Sequence, residues 1–315
     1  MPELHFPAAP LVRARLRALS AARLAITLCL SGCGAQTATV DARQKPTPAP
    51  ELTGIAAAPP LPFSPEPLPL PLAAPEPGEA SACGEGMALV AGNYCLTPEH
   101  RCLAHQDIPS ENGKIVPNQC TRYQEPVTCF ANRRQPMRYC MDRYEWPNRK
   151  GELPRTLISY QNARVACESE GKRLCTEEEF NFACEGEEMR PYVYGFARDA
   201  TRCNFDKPYR PRTFPFTELA TCMANPACRE AYEAIDQRLP AGSLESCRSS
   251  DGIYDLNGNV NEWVYLPKGK SPRRSGLKGG WWGPVRNRCR PTVTFHDEGD
   301  FGYEAGFRCC GDAKP

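Results

Sequence analysis

DLNGNVNEW, at residues 255–263, is the most informative segment of this 315-residue chain. Two carboxylates, Asp255 and Glu262, flank an Asn-Gly-Asn turn, and Trp263 follows directly. Such a turn can point backbone carbonyl oxygens inward. Two further segments follow it along the chain, KGGWW at residues 278–282 and GFRCC at residues 306–310.

In this order the three segments resemble the formylglycine-generating enzyme (sulfatase-modifying factor) family, a variant of the C-type-lectin fold. The likeness runs from about residue 84 to 313. Residues 86–92 (GMALVAG) resemble the family's first strand and turn, and residues 140–145 (CMDRYE) resemble its acidic-aromatic strand. The resemblance implies an α+β, irregular C-type-lectin-like domain with two helices, short antiparallel strands and many loops.

The amino terminus has the features of a bacterial lipoprotein signal at residues 1–33. Four arginines precede a short apolar run at residues 24–30 (LAITLCL), which is too short to span a bilayer. The run leads into a lipobox, LSGC at residues 30–33, so Cys33 is the expected lipidation site and lipid chains the expected membrane anchor. Gly34 after the cysteine favours the outer membrane of the cell envelope. An ordinary cleaved signal peptide is the alternative.

Residues 34–82 are rich in proline and alanine and predict a disordered linker. The globular domain is therefore expected at residues 83–315, with a cysteine-rich insertion at about residues 96–138. The balance of 38 basic and 37 acidic residues offers no electrostatic footprint for nucleic acid. A mean hydropathy of -0.52 excludes a polytopic membrane protein.

Eighteen cysteines in an exported chain predict a disulfide-rich domain. No C-x-x-C occurs and histidines are few, which argues against a zinc ribbon or a thioredoxin-like motif. Disulfide connectivity cannot be read from sequence, although Cys289 is expected to pair with one of the two cysteines at the carboxyl end. The disulfide candidates singled out are Cys175, Cys184, Cys203, Cys247, Cys289, Cys309 and Cys310.

Two helices are predicted between residues 159 and 186. The first spans residues 159–170, with Gly171 as its C′ residue. The second begins after Thr176, which forms a capping box with Glu179, and ends at Gly186. Its buried stripe is expected to contain Phe180, Ala183 and Cys184.

The segment at residues 255–262 is also a candidate calcium site, because calcium accepts six to eight oxygen ligands with flexible geometry. The resemblance implies ligation by the side chains of Asp255 and Glu262 and the carbonyls of Gly258 and Val260. A second site implied by the family would involve Asn204. The alternative is a tight turn that ends in a core tryptophan.

The family's catalytic centre is a pair of cysteines five residues apart after the double glycine. The resemblance implies that this pair binds copper(I), which suits a dithiolate, and oxidises a substrate cysteine to formylglycine. Here the corresponding positions are Pro284 and Cys289. Proline cannot ligate a metal, so half of the centre is missing.

Aromatic residues surround the position of the missing cysteine and predict a ligand groove for a peptide or a glycan. The groove candidates are Trp281, Trp282, Phe295, His296 and Tyr303. Packing of the tryptophans into the core is the alternative. Residues 296–298 (HDE) could serve acid-base chemistry, but a solvated loop is the simpler interpretation.

Together these observations predict a lipoprotein of the cell envelope with a non-catalytic domain that binds or scaffolds an envelope protein, a peptide or a glycan. The rival hypothesis is a copper-dependent oxidoreductase that acts on protein cysteine and uses Cys289 with another thiol.

Overall fold

The computed structural model describes residues 82–109, 115–211, 224–284 and 286–315. The predicted signal segment, Cys33 and almost all of the predicted linker lie outside these residues. Three α-helices are fully described: α1 Tyr160–Ser169, α2 Glu177–Glu185 and α3 Pro226–Ile235. The described strands are β1 Met87–Cys95, β2 Pro98–Glu99, β3 Cys102–Pro109, β4 Ile115–Tyr123, β5 Thr128–Cys129, β6 Arg134–Asp142, β7 Arg173–Leu174, β8 Asn261–Tyr265, β9 Ser275–Lys278, β10 Ala305–Gly306 and β11 Cys309–Asp312.

A four-stranded antiparallel sheet in the order β1-β6-β11-β7 joins the two ends of the domain. β1 and β6 pair over their whole lengths, from Met87 opposite Asp142 to Cys95 opposite Arg134. β1 therefore continues past Gly92, where the sequence predicted a turn. Residues 86–92 look like strand plus turn because of their two glycines, but Gly92 continues the strand with a φ of 148°.

A three-stranded sheet in the order β10-β8-β9 brings the segments at residues 255–263 and 278–282 together. β8 and β9 are antiparallel, with Glu262 opposite Lys278. The turn before β8 meets the double glycine after β9, where the Gly258 amide donates to the Gly279 carbonyl at 2.9 Å. Gly258 has a φ of 81°, and a Cβ there would lie 2.3 Å from the Asn204 carbonyl oxygen. Only glycine allows this close approach.

Both predicted helices are confirmed, and they begin and end at the predicted capping residues. The Ser159 side chain accepts from the Asn162 amide at the start of α1. Thr176 and Glu179 form the full capping box of α2, and Gly186 is its C-cap. The residues of the predicted stripe, Phe180, Ala183 and Cys184, are all buried.

Helix α3 adds a third helix to the two that were predicted. Asn225 caps it, and Pro226 occupies the first turn, where its fixed φ suits a helix. One face buries Cys228, Tyr232 and Ile235. Three apolar positions in a polar segment are a weak helical signal, which explains why the sequence did not predict this helix.

The predicted cysteine-rich insertion folds as disulfide-pinned ribbons. β3 and β4 form an antiparallel hairpin bridged by Cys102–Cys120, and β2 pairs with β5 beside the bridge Cys95–Cys129. A 3-10 turn, Phe130–Asn132, then leads into β6. Disulfides rather than an extensive core stabilise this segment. Each bridge limits the conformations of the unfolded chain and so stabilises the fold by about 2–4 kcal/mol.

The largest hydrophobic cluster lies between α2 and the four-stranded sheet, and a second lies between α1 and the three-stranded sheet. The second contains Trp263, whose Nε1 donates to the Ile158 carbonyl at 2.8 Å. All fifteen cysteines that the structure describes are disulfide-bonded. No helix within the described residues has the length and apolar character needed to cross a membrane.

Candidate functional site

The loop at residues 279–289 follows β9 and carries Pro284 and Cys289, the two residues that the family resemblance predicted at the copper-ligand positions. Gly279 and Gly280 have φ values of 79° and 78°, and Gly280 packs against Asn287 so closely that a Cβ would lie 2.6 Å from the amide nitrogen. The first ligand position is Pro284, whose carbonyl accepts from Arg198 Nη2 at 2.8 Å. This position therefore offers no thiol.

Cys289, at the second predicted ligand position, has no free thiol either. Its sulfur is bonded to Cys184 on the buried face of α2, with an S–S distance of 2.05 Å. Both residues are fully buried, and the Cys289 amide donates to the Pro191 carbonyl at 2.9 Å. The loop thus presents neither a pair of thiols nor a single free one.

The expectation that Cys289 pairs with Cys309 or Cys310 is wrong. Those two cysteines pair with Cys167 of α1 and Cys175 before α2. They are neighbours on β11, and successive side chains of a strand point to opposite faces of the sheet. One therefore reaches α1, the other reaches the start of α2, and neither approaches the loop. Among the other disulfide candidates, Cys203 pairs with Cys247.

A cavity of about 440 Å³ lies beside this loop. Its lining includes all five residues of the predicted groove: Trp281, Trp282, Phe295, His296 and Tyr303. We call it the aromatic cavity. The rings of Trp281 and Tyr303 meet edge-on at 5.4 Å between centroids, and those of the two tryptophans at 5.1 Å. Its size suits a ligand of roughly one sugar or one to two amino-acid residues.

The alternative prediction, that the two tryptophans pack into the core, is also correct. Trp281 and Trp282 are buried and form a small cluster with Val260. Phe295 differs, because 62% of its surface is exposed and its ring lies 4.4 Å from that of His296 at the rim of the cavity. The cavity therefore has a rigid aromatic floor and an accessible aromatic rim.

The sequence did not indicate the cationic residues of the aromatic cavity. Lys207 and Arg210 come from the segment after Asn204, and Arg286 comes from the loop itself. Arg286 Nε is buried and has no hydrogen-bond partner among the described residues. The sequence showed only that an arginine, Arg286, lies two residues after Pro284. The tertiary structure shows that its side chain lines the cavity.

Residues 296–298 do not form an acid-base group. Asp297 is paired with Arg273 at 2.8 Å and Glu298 with Arg274 at 2.9 Å, while His296 Nδ1 lies 3.5 Å from Asp300. Each carboxylate has its own arginine, and Arg273 and Asp297 are substantially exposed. The solvated-loop interpretation therefore fits Asp297, whereas the side chain of Glu298 is only 6% exposed.

The predicted calcium residues Asp255 and Glu262 lie in a buried cluster of carboxylates. The positive charge in this cluster is the guanidinium of Arg308. Both oxygens of Glu262 accept from Arg308, from Nε and Nη2 at 2.6 Å each, and Arg308 is fully buried. Asp255 Oδ2 accepts from the Gly242 amide at 2.7 Å. The Arg308 guanidinium thus occupies both carboxylate oxygens of Glu262, which removes Glu262 from the predicted ligand set of Asp255, Gly258, Val260 and Glu262.

Glu145 is the third carboxylate of this cluster and was not predicted. Its oxygens accept from Asn259 Nδ2 at 2.6 Å and from the Val260 amide at 3.2 Å. Burial raises the pKa of Glu145, and the charges of Asp255 and Glu262 add to the increase. Burial also raises the pKa of Asp255, to about 6; the charge of Glu262 adds to the increase, while the Gly242 amide and the Arg308 guanidinium oppose it.

Asn204, the second predicted calcium residue, fits a cation better. Its Nδ2 donates to the Gln237 carbonyl at 3.0 Å and to Asn259 Oδ1 at 2.9 Å, which fixes the orientation of the amide. Its Oδ1 is buried without a partner among the described residues. An amide oxygen of this kind is a suitable calcium ligand. No group of three His, Cys, Asp or Glu side chains suited to a metal occurs in the described part of the chain.

Comparisons with known proteins find similar sequences and similar folds. Two curated relatives, each named "Inactive C-alpha-formylglycine-generating enzyme 2", come from Mus musculus and Bos taurus. Each is 29% identical over 174 residues, which cover 52% of this chain and 51% or 52% of the relative. The chain therefore spans about half the length of these curated relatives.

Two solved structures are also similar to the chain. "Crystal Structure of CarF" aligns with a TM-score of 0.47 and 13% identity, over 72% of this chain and 98% of that one. "Structure of PvdO from Pseudomonas aeruginosa" aligns with a TM-score of 0.40 and 16% identity, over 72% and 94%. The FGE-sulfatase family model, described as a sulfatase-modifying factor enzyme 1-like domain, matches residues 111–313. This chain belongs to the sulfatase-modifying factor enzyme 1-like domain family.

Proposed function

We propose that this domain binds a ligand in the aromatic cavity and does not catalyse formylglycine formation. One observation carries the proposal: the loop that would hold copper(I) has Pro284 at one ligand position and ties Cys289 to Cys184 in a buried disulfide. Neither position can ligate copper(I) as a thiolate. A cavity with an exposed aromatic rim nevertheless lies beside the loop.

The relatives support this proposal by name, since the two curated proteins from mouse and cattle are called inactive. That word describes those proteins. For this chain the argument rests on the chemistry of Pro284 and on the disulfide at Cys289.

We further propose that the domain is displayed at the bacterial cell envelope, where it binds or scaffolds an envelope protein, a peptide or a glycan. The lipobox at Cys33 would anchor it to the outer membrane, with residues 34–82 as the spacer. The dense disulfide bonding supports this location, because disulfides persist in oxidising compartments.

Calcium is proposed at Asn204 alone. Asn204 Oδ1 would be one of its oxygen ligands, and the ion would stabilise the segment around α3 without taking part in chemistry.

The rival function, a copper-dependent oxidoreductase, needs Cys289 as a thiol. It would require reduction of a bridge whose two residues are fully buried. Alkylation of the denatured, unreduced full chain followed by peptide mapping tests this requirement. A labelled Cys289 would support the oxidoreductase; a Cys289 recovered only in a bridge with Cys184 would exclude it.

The binding proposal is tested with small neutral probes, N-acetylphenylalanine amide and glucuronamide, by saturation-transfer NMR on the full chain. We expect at least one of them to contact the cavity. Phe295→Ala should weaken the signal, because it removes an exposed rim aromatic, whereas Phe130→Ala should not.

Phe130 is a matched control, since 54% of its surface is exposed on the 3-10 turn, outside the cavity lining. Equal loss in both variants would contradict binding at the cavity. So would the absence of any signal from these probes and from their carboxylate counterparts.

A further inference from the structure

The aromatic cavity contains more positive than negative charge. Among the described residues, three cationic side chains line it, those of Lys207, Arg210 and Arg286, together with one acid, Glu304. Lys207 and Arg286 form no ion pair with any described residue, and Arg210 donates only to the Ala234 carbonyl, at 3.2 Å. Most other arginines with buried stems, such as Arg198 and Arg290, are matched with a carboxylate.

Arg286 has two further unusual features. Its Nε is buried and makes no hydrogen bond within the described structure, although a buried guanidinium nitrogen normally has an acceptor. Its backbone has a φ of 64°, a conformation that costs free energy for a residue other than glycine and is concentrated at binding sites. The unpaired Nε shows that the guanidinium has hydrogen-bonding capacity that no described residue uses, and the side chain lies in the lining of the cavity.

We propose that the aromatic cavity binds a carboxylate group carried on an aromatic or sugar ring, with Arg286 as its anchor. This inference rests on the proposed binding function and specifies the class of ligand. The guanidinium fork matches the two oxygens of a carboxylate. Tyr303 and Phe295, which are partly or largely exposed, provide aromatic surface for the ring, and Lys207 adds a second cation.

The test compares each acid with its own amide, so that only the charge differs. The pairs are N-acetylphenylalanine with N-acetylphenylalanine amide, and glucuronate with glucuronamide. Dissociation constants are measured by NMR titration of the full chain at constant ionic strength. In at least one pair the acid should bind about 10- to 100-fold more tightly than the amide, because a hydrogen bond to a charged group strengthens binding by that factor. Which pair shows the preference identifies the source of the carboxylate.

Arg286→Gln should remove most of this preference and leave the affinity for the amides unchanged. Arg202→Gln is the matched control, since it removes the same charge from an arginine outside the cavity and should preserve the preference. Two-dimensional NMR spectra of both variants verify that they are folded.

The outcomes separate this inference from the proposed function. If the amides bind as tightly as the acids, or if Arg286→Gln keeps the preference for the acids, the cavity binds ligands but the carboxylate inference is overturned. If neither acids nor amides bind, both are overturned. A preference lost only in Arg286→Gln supports both.

Discussion

Replacement of Asp255 by asparagine should make the protein more stable at neutral pH. Asp255 is buried beside Glu145 and Glu262, and Arg308 is the cation of the cluster. Burial raises the pKa of Asp255 from 3.8 to about 6. The folded protein therefore holds a proton that the unfolded chain releases between about pH 4 and pH 6. Over this interval the contribution of Asp255 to stability falls as pH rises, and above it the loss is complete.

The magnitude follows from the size of the shift. A difference of about 2 pH units at about 1.4 kcal/mol per unit corresponds to a loss of about 3 kcal/mol at pH 7. An asparagine at this position would have no charge to bury, and its side-chain oxygen could still accept from the Gly242 amide as Oδ2 of Asp255 does now. Asp255→Asn should therefore raise the free energy of unfolding by up to about 3 kcal/mol at pH 7.5 and change it little at pH 4.

Urea denaturation of the wild type and the variant at both pH values, with disulfides intact, measures the difference. Asp312→Asn is the control, because the side chain of Asp312 is 93% exposed, and it should change stability by less than about 0.5 kcal/mol. The reasoning fails if Asp255→Asn is destabilising at pH 7.5, or if its effect is the same at both pH values. It also fails if the variant loses a calcium response that the wild type has, since Asp255 would then be a calcium ligand.

Three further predictions concern other buried groups. Burial lowers the pKa of Lys278 to about 7, so stability should rise with pH between 7 and 9 by up to about 1.4 kcal/mol per unit; Lys278→Met should flatten this rise in urea denaturation. Pro284→Cys alone should not bind copper(I) in competition titrations, because Cys289 is bonded to Cys184, whereas combination with Cys184→Ser should create a site; binding by the single variant would contradict the disulfide. Calcium should raise the melting temperature of the wild type but not of Asn204→Ala, as measured by calorimetry, and an equal response would exclude Asn204 as a ligand.

Local features of the sequence were sufficient for the elements that depend on neighbouring residues. The capping box of Thr176 and Glu179 predicted the start of α2, and Ser159 and Gly171 predicted the limits of α1. Such signals act within one turn of helix, so no distant contact is needed. Helix α3 was missed because its apolar face is narrow and its stability depends on packing.

The candidate site was predictable in part. The aromatic residues that follow the double glycine pointed to the cavity, because the family likeness placed them around the lost copper position. Lys207 and Arg286 were not predicted, since they are distant in sequence and only the tertiary structure brings them to one cavity. The calcium prediction for Asp255 and Glu262 did not anticipate Arg308, which lies 46 residues beyond Glu262 in the chain.

The sequence by itself determined the family, the two predicted helices, the disulfide-rich character and the presence of a proline, not a cysteine, at residue 284. Each of these depends on residue identity or on contacts within a few residues. The tertiary structure decided which cysteines pair, which cation pairs with Glu262 and which side chains line the cavity. These are contacts between residues far apart in the chain, and the packing of sheets against helices, rather than spacing along the sequence, brings their atoms together.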